Sequence, residues 1–241
     1  MDRRGFPVRE LKALASARSA GKTIDFRGER IVIEELNEHS FDGVNIALFS
    51  AGSGISRKFA PIAVKAGAVV VDNSSAFRMD PNVPLVIPEI NAGRIRDHKG
   101  IIANPNCAAI TALVPLWPIH RQNRIKRIII ATYQAASGAG AAAMEELVES
   151  TRANLDGKIY TPKVMPHPYA FNLFNHNTAV DPETGYNDEE TRSSRRPARS
   201  LRTTTSRSAS PACVCRSCAP IAKPSPSNAR GRSRKLRCAT F

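Results

Sequence analysis

The chain has 241 residues, of which 42% are apolar, so it is long enough to bury a core in one large domain or two small ones. Its net charge of +14 would suit a nucleic-acid-binding protein, but residues 1–190 carry 22 basic and 21 acidic residues, whereas residues 191–241 carry 13 basic residues and no acid. The excess charge therefore belongs to a tail, and the body of the chain is not a basic protein.

Cysteine content and hydropathy exclude two further classes. Cys107 is the sole cysteine of residues 1–190, which excludes a disulfide framework for the body. The sequence has no run of 18 apolar residues, and its first ten residues lack the apolar stretch of a signal peptide. We therefore expect a cytoplasmic protein with no membrane partner.

The first half of the chain alternates between strand and helix patterns. Short strands are predicted at residues 10–16 and 30–33, and apolar strands at 44–50 and 68–72. Residues 52–67 read as a helix that is entered through a Gly-Ser turn and closed by Gly67. This strand-helix-strand spacing predicts a parallel sheet.

The second half continues with a short apolar segment at 85–88, a loop through Asn91 and a strand at 101–103. Residues 107–120 are predicted to be helical, with Pro115 and Pro118 kinking or ending the helix. A β-branched strand at 125–133 precedes a glycine loop and a long helix, for which Ser137 is a plausible cap. Residues 191–241, where 10 of 51 are serine, show no periodicity and are predicted to be disordered.

Cys107 lies directly after an Asn-Pro-Asn turn and at the predicted start of a helix. Unpaired backbone N–H groups and the helix dipole at such a position both favour a thiolate. The alternative is a buried, inert cysteine.

Three other segments carry polar residues next to predicted strands. Arg78 lies in a loop past the carboxyl end of a strand, where it could hold a phosphate or carboxylate, although it could also be an ordinary surface arginine. Gln134 and a small-residue loop follow the strand at 125–133, which could equally be a plain strand-to-helix turn. Residues 16–24 contain basic and hydroxyl side chains and no acid, which favours NADP over NAD.

These segments, in this order, resemble the aspartate-semialdehyde dehydrogenase family. The matching stretches are GFPVRELKALASARSAGK, LFSAGSGISRKFAPIAVKAGAVVVDNSSAFRMDPNVPLVIPEIN, IIANPNCAAI and ATYQAASGAG. The resemblance implies an α/β fold with a truncated Rossmann-like NADP-binding domain at 1–106 and a partial α+β catalytic and dimerisation domain at 107–190. The second domain is expected to be of the glyceraldehyde-phosphate-dehydrogenase-like type, followed by a disordered basic tail at 191–241.

The resemblance also implies a reaction, in which Cys107 forms a thioester during the NADP-dependent interconversion of aspartyl phosphate and aspartate semialdehyde. By position, Cys107 and Gln134 would be catalytic, and Arg78 and Asn106 would bind the substrate or phosphate. The cofactor would be held by Ser16, Arg18, Ser19, Thr23, Ser50, Ala51, Gly52, Ser137 and Gly138. The family resemblance further implies a homodimer, and no metal site.

The sequence departs from the family pattern at both ends. The glycine-rich phosphate loop expected before residue 5 is not found, and the usual NPNCST motif reads NPNCAA. When GC-rich synonymous codons are chosen for residues 191–241, reading them in a frame displaced by one base gives a string with the family-like segments TCVRVPV and RAH. We therefore hypothesise a frameshift near Glu190, which places Val214 and Ile221 where the substrate arginine and the acid/base histidine are expected, and predicts an impaired enzyme.

Two alternatives remain open at this point, and a third is disfavoured. A related acyl-phosphate reductase, such as N-acetyl-glutamyl-phosphate reductase, usually has a glycine after the Asn-Pro pair and aromatic residues after the cysteine, which this chain lacks. A nucleic-acid-binding protein that uses its basic tail would explain the arginines but not the body. A metal cluster of tail cysteines is disfavoured because the tail has no histidine and the spacing fits no standard zinc module.

Overall fold

The structure is a computed structural model that describes residues 1–174, 180–187, residue 190 and the strand at 212–217. Within these residues the α-helices are α1 (Ser53–Lys65), α2 (Pro88–Asn91), α3 (Cys107–Gln122) and α4 (Ala141–Leu155). The strands are β1 (Ala13–Ala15), β2 (Thr23–Phe26), β3 (Glu29–Glu35), β4 (Ile46–Phe49), β5 (Val69–Asp72), β6 (Ile101–Ala103), β7 (Arg127–Thr132) and β8 (Ala212–Ser217). Short 3-10 helices occur at Asp2–Arg4, Ala17–Ser19, Ala92–Asp97 and Ala136–Ala139.

The chain divides into two compact units. The first contains Met1–Ile130 and Thr178–Cys215, and the second contains Ala131–Asn177 and Arg216–Phe241. The first unit is built on two three-stranded sheets, and the second is built around α4. In the part of the chain that the structure describes, no helix is both long and apolar enough to cross a membrane.

The parallel sheet predicted from the sequence is confirmed in the first unit. Its strand order is β4-β5-β6, with Phe49 paired to Asp72 and Asp72 paired to Ala103 at the carboxyl ends. Helix α1 crosses from β4 to β5 and buries Phe59, Ala60 and Ala63 against the sheet. Because burying one such aromatic side chain contributes roughly 1.5–3 kcal/mol, this core fixes the sheet and therefore the positions at which its strands end.

A second sheet in the first unit has the order β1-β3-β2, with β1 parallel and β2 antiparallel to β3. Strand β1 is shorter than predicted from residues 10–16, and β2 was not predicted at all. The β2–β3 turn is a two-residue hairpin in which Arg27 and Gly28 both have positive φ, at 53° and 81°. Leu14 of β1 packs against the same core as α1, so the two sheets share one hydrophobic cluster.

One prediction about helices is wrong, and another is wrong in part. The loop predicted through Asn91 is one helical turn, α2, with Pro88 in its first turn where a missing N–H costs nothing. Pro115 and Pro118 do not end α3, which continues through both of them to Gln122. Packing of Leu113 against Ile87 and Ile90 anchors this helix, so tertiary contacts outweigh the hydrogen bonds that proline removes.

The second unit begins with a glycine turn and a long helix. Ser137 does not cap α4, because it lies in the 3-10 turn Ala136–Ala139 and Gly140, with φ at 99°, occupies the cap position without a side-chain bond. The carboxylate of Glu146 in α4 is buried and accepts backbone N–H bonds from Lys163, Val164 and Met165 at 2.6, 2.7 and 2.9 Å. Burial alone would raise the pKa of Glu146, but these N–H donors and the nearby Lys163 charge together lower it.

The prediction that residues 191–241 lack regular structure is wrong for Ala212–Ser217, which form β8 and pair with β7. Val214 is a β-branched residue, a type that is enriched in strands. The rest of this predicted tail lies outside the described residues.

Candidate functional site

The candidate site is built where the three parallel strands of the first unit end. Strands β4, β5 and β6 stop at Phe49, Asp72 and Ala103, and each is followed by a polar residue: Ser50, Asn73 and Asn104. In an open parallel sheet the carboxyl ends of the strands are where ligands bind. We call this row of strand ends and the loops that leave it the carboxyl edge.

Cys107 is the first residue of α3, three residues beyond Asn104. The preceding residue, Asn106, is the N-cap, and its side-chain Oδ1 accepts the N–H of Ala109 at 3.0 Å. Cys107 is exposed, so the alternative of a buried, inert cysteine is wrong. The arrangement presents a solvent-accessible thiol at the N-terminal end of a 16-residue helix, where the backbone dipole favours negative charge.

Arg78 is buried, with 8% of its surface exposed, so it is not an ordinary surface arginine. Its Nε donates to the backbone carbonyl of Asn104 at 2.7 Å, and its Nη2 donates to the backbone carbonyl of Asn73 at 2.6 Å. The guanidinium therefore bridges the ends of β5 and β6. The side chains of the two asparagines also meet, because Asn104 Nδ2 donates to Asn73 Oδ1 at 2.7 Å.

A buried carboxylate supports the same loop. Asp72 is fully buried, and its two oxygens accept bonds from the Ser56 hydroxyl at 2.8 Å, the Ser74 N–H at 3.0 Å and the Ser74 hydroxyl at 2.8 Å. Ser56 belongs to α1, so Asp72 ties the helix to the start of the loop that carries Arg78. Sequence reasoning did not identify this group. The signal was present in the run of polar residues at 72–75, directly after an apolar strand.

The residues predicted to hold the cofactor's adenosine phosphate lie beyond β1. Ser16, Arg18 and Thr23 are exposed and Ser19 is half-buried. Ser19 N donates to the Ser16 carbonyl at 2.8 Å, which folds this segment into the short 3-10 turn Ala17–Ser19. Hydroxyl and guanidinium groups are thus available to an anion on a segment without acidic side chains.

A second predicted cofactor segment leads from β4 into α1. Ser50, Ala51 and Gly52 are exposed, and Gly52 has φ at 93°, a conformation that favours glycine. Gly52 caps α1 without a side-chain bond, so the first N–H groups of the helix have no side-chain acceptor from their cap. Backbone N–H groups of this kind suit the phosphates of a dinucleotide.

The remaining predicted residues belong to the second unit. Gln134 is exposed, and its Nε2 lies 3.4 Å from the Thr132 hydroxyl, to which it donates. Ser137 and Gly138 are exposed in the turn that precedes α4. Across the described residues there is no group of three or more histidine, cysteine, aspartate or glutamate side chains that could hold a metal ion. Cys218 of the tail cysteine cluster lies outside those residues.

Two family models match this chain. Residues 1–98 match the semialdehyde dehydrogenase NAD-binding domain, and residues 116–218 match the semialdehyde dehydrogenase dimerisation domain. The boundary proposed from the sequence, after residue 106, falls between these two matches. Together the two matches extend over most of the chain.

Curated relatives and solved structures carry the same name. An aspartate-semialdehyde dehydrogenase from Synechocystis sp. is 54% identical over 177 residues, which are 73% of this chain and 52% of that protein. One from Aquifex aeolicus is 50% identical over 195 residues, or 79% of this chain and 57% of that protein. The crystal structure of aspartate semialdehyde dehydrogenase II from Vibrio cholerae aligns with a TM-score of 0.81 and 39% identity, covering 89% of this chain and 62% of that one.

The chain therefore spans little more than half the length of these relatives. Nothing in these matches favours the alternative of an N-acetyl-glutamyl-phosphate reductase. On the two domain matches and these relatives, the chain belongs to the aspartate-semialdehyde dehydrogenase family.

Proposed function

We propose that this chain carries the nucleophile, the anion site and part of the cofactor site of an NADP-dependent aspartate-semialdehyde dehydrogenase. The observation that carries the proposal is the exposed Cys107 at the start of α3, which lies three positions after Asn104, whose carbonyl the buried Arg78 holds. The names of the relatives supply the substrate class, and a structure of the Vibrio cholerae enzyme complexed with ASA supports a small-molecule substrate.

In the proposed reaction, the Cys107 thiolate attacks the aldehyde carbon, a carbon–sulfur bond forms, and the oxygen takes up a proton. When bound, NADP would supply the acceptor for the hydride of this carbon. The hydroxyl then gives up its proton to water, the carbonyl re-forms, and a thioester remains on Cys107. A phosphate oxygen then attacks the thioester carbon, the carbon–sulfur bond breaks, and the thiolate leaves with the electron pair. The products are aspartyl phosphate and free Cys107, and biosynthetic flux runs in the opposite direction.

The chain's own residues divide this work between binding and orientation. We assign phosphate binding to Arg78 with Asn106, because both lie at the carboxyl edge beside the nucleophile's helix. Gln134 is assigned to orienting the substrate. The sequence places Val214 and Ile221 where the family's arginine and histidine are expected, so we expect slow turnover, since acid/base assistance alone contributes roughly 10² to 10⁴ in rate.

The residues present fit NADP. Ser16, Arg18, Ser19 and Thr23 would hold the 2'-phosphate, since the segment offers a guanidinium and hydroxyls and no acid. Ser50, Ala51 and Gly52 would lie against the dinucleotide at the start of α1, and the family resemblance also assigns Ser137 and Gly138 to the cofactor. A homodimer through the region that matches the dimerisation domain, and a cytoplasmic location, belong to the same proposal.

The acylation half-reaction tests this function without requiring turnover. The full chain is mixed with aspartyl phosphate, quenched in acid and digested, and the Cys107 peptide is examined by mass spectrometry. We expect an aspartyl group on Cys107, no such group in Cys107→Ser, and much slower modification by acetyl phosphate, which has the same leaving group without the amino acid.

Two outcomes would overturn the proposal. One is equal acylation of Cys107 by aspartyl and acetyl phosphates, which would show that the site does not recognise the substrate. The other is faster acylation by N-acetyl-glutamyl phosphate, which would favour the related reductase.

A further inference from the structure

The ends of β5 and β6 are joined by a hydrogen-bonded frame whose asparagine amide pair has no part in the proposed chemistry. The frame consists of the backbone carbonyls of Asn73 and Asn104, the Arg78 guanidinium that donates to both, and the amide pair between the two asparagine side chains. Asn104 also donates its backbone N–H to the Asp72 carbonyl at 2.8 Å, which continues the parallel ladder past the last paired residues. Each member of the frame thus restrains the others.

This frame leads directly to the nucleophile. After Asn104 the chain passes through Pro105, which is fully buried and has a fixed φ, to the cap Asn106 and then to Cys107. Asn106 is itself buried and hydrogen-bonded into the first turn of α3. Few torsion angles are therefore free between the carbonyl that Arg78 holds and the thiol.

We propose that the Asn73–Asn104 amide pair is a positioning element that sets the placement of Cys107 relative to the Arg78 guanidinium. The proposal rests on the proposed function only in taking Cys107 as the nucleophile and Arg78 as the anion-binding group. The amide pair touches neither reactant; it fixes the strand ends from which both groups are displayed. Without the amide pair, β5 and β6 keep their backbone hydrogen bonds, but Asn73 and Asn104 lose the side-chain bond that restrains both of them.

Two alkylating reagents make the placement measurable. Iodoacetate is an anion and iodoacetamide is neutral, so the ratio of their rates at Cys107 reports how strongly a fixed positive charge acts on the approach to the thiol. The rates are read from the Cys107 peptide by mass spectrometry, because the other cysteines of the full chain also react. General destabilisation changes both rates together and leaves their ratio unchanged.

The variants are Asn73→Ala and Asn104→Ala, each of which removes the amide bond, and their combination. Arg78→Gln gives the ratio without the guanidinium charge, and Asn82→Ala, an exposed asparagine between β5 and β6, is the matched control. We expect the iodoacetate-to-iodoacetamide ratio to fall by about threefold or more in each single variant, towards the Arg78→Gln value. The double variant should resemble the single ones, because both remove the same bond.

A wild-type iodoacetate-to-iodoacetamide ratio in folded Asn73→Ala would overturn the proposal. Because Asn73 is exposed, Asn73→Ala tests the proposal even if Asn104→Ala does not fold. A wild-type ratio in Arg78→Gln would also overturn it, since the guanidinium would then have no influence on the thiol. If the ratio responds as expected but aspartyl phosphate does not acylate Cys107, the proposed function fails and the positioning element stands.

Discussion

Glu146 is the buried group whose replacement gives the clearest stability prediction. Its carboxylate is 3% exposed and receives three consecutive backbone N–H groups, from Lys163, Val164 and Met165. A hydrogen bond to a charged group contributes about 1.5–3 kcal/mol when both partners are buried. Lys163 and Val164 are exposed, so water would replace part of what Glu146→Ala removes, and we expect a loss of about 3 kcal/mol in the local stability of this contact.

Amide hydrogen exchange measures this loss at the affected residues. A change of about 3 kcal/mol corresponds to exchange about 100-fold faster at these three amides in Glu146→Ala. Glu146→Gln keeps one acceptor oxygen, so its exchange rates at these amides should lie between those of the wild type and of Glu146→Ala. The control Glu145→Gln, at an exposed neighbouring position, should show wild-type exchange rates. Exchange within about twofold of wild type in Glu146→Ala would show that the carboxylate does not hold this segment.

The same contact predicts a dependence on pH. The pKa of Glu146 is lowered in the folded chain from the ordinary value of 4.5. The stability that its ionised carboxylate gives to this contact is therefore fully present at pH values above 4.5. The contribution is lost as the pH falls through the lowered folded value, because protonation removes the charge that the N–H donors stabilise. Protection of the three amides should therefore decrease in acid in the wild type and show no such acid-dependent step in Glu146→Ala.

Three further predictions concern the first unit and the gene. Asp72→Asn places an NH₂ group among three donors and should lower the free energy of unfolding in urea by about 1–3 kcal/mol. The exposed control Asp42→Asn should leave that free energy unchanged. Equal urea midpoints for Asp72→Asn and the wild type would contradict the role of the buried carboxylate. Arg18→Ala should weaken NADPH binding about tenfold or more and leave NADH binding nearly unchanged in fluorescence titrations, and an equal loss for both would contradict the 2'-phosphate assignment. Resequencing the gene around codon 190 should reveal a displaced frame, and an unbroken frame there would remove the frameshift hypothesis.

Strands and helices with strong local patterns were predictable from the sequence. The β-branched run in β5 and the Asn-Pro-Asn turn before α3 each signal one structure, so the parallel sheet and the helix start at Cys107 followed directly. Strand β2 was missed because its sequence, TIDF, has a charged residue and little periodicity, and only pairing with β3 and the Arg27-Gly28 turn makes it a strand. The possibility that Pro115 and Pro118 end α3 was wrong, because the sequence pattern alone does not show the contacts of Leu113 that anchor the helix.

In the candidate site, too, local features were predictable from the sequence and long-range contacts were not. Residue types and order were enough to single out Cys107 and Arg78, because their chemistry is local. The partners of Arg78 were not predictable, since a hydrogen bond to a backbone carbonyl 26 residues away depends on strand register rather than on side-chain identity. Asp72 was missed for a similar reason, because the Ser56 hydroxyl reaches it only after α1 has packed on the sheet.

The two prolines of α3 have a consequence for how the chain tolerates mutation. At a rise of 1.5 Å per residue, Pro115 and Pro118 lie about 12 and 17 Å along the helix from Cys107. The electrostatic effect of a helix on its end is confined to the first turn, and Asn106 fixes that turn from outside. Helix-breaking substitutions can therefore accumulate in the distal half of α3 without altering the surroundings of the thiol, so this half of the helix can diverge while the nucleophile stays in place.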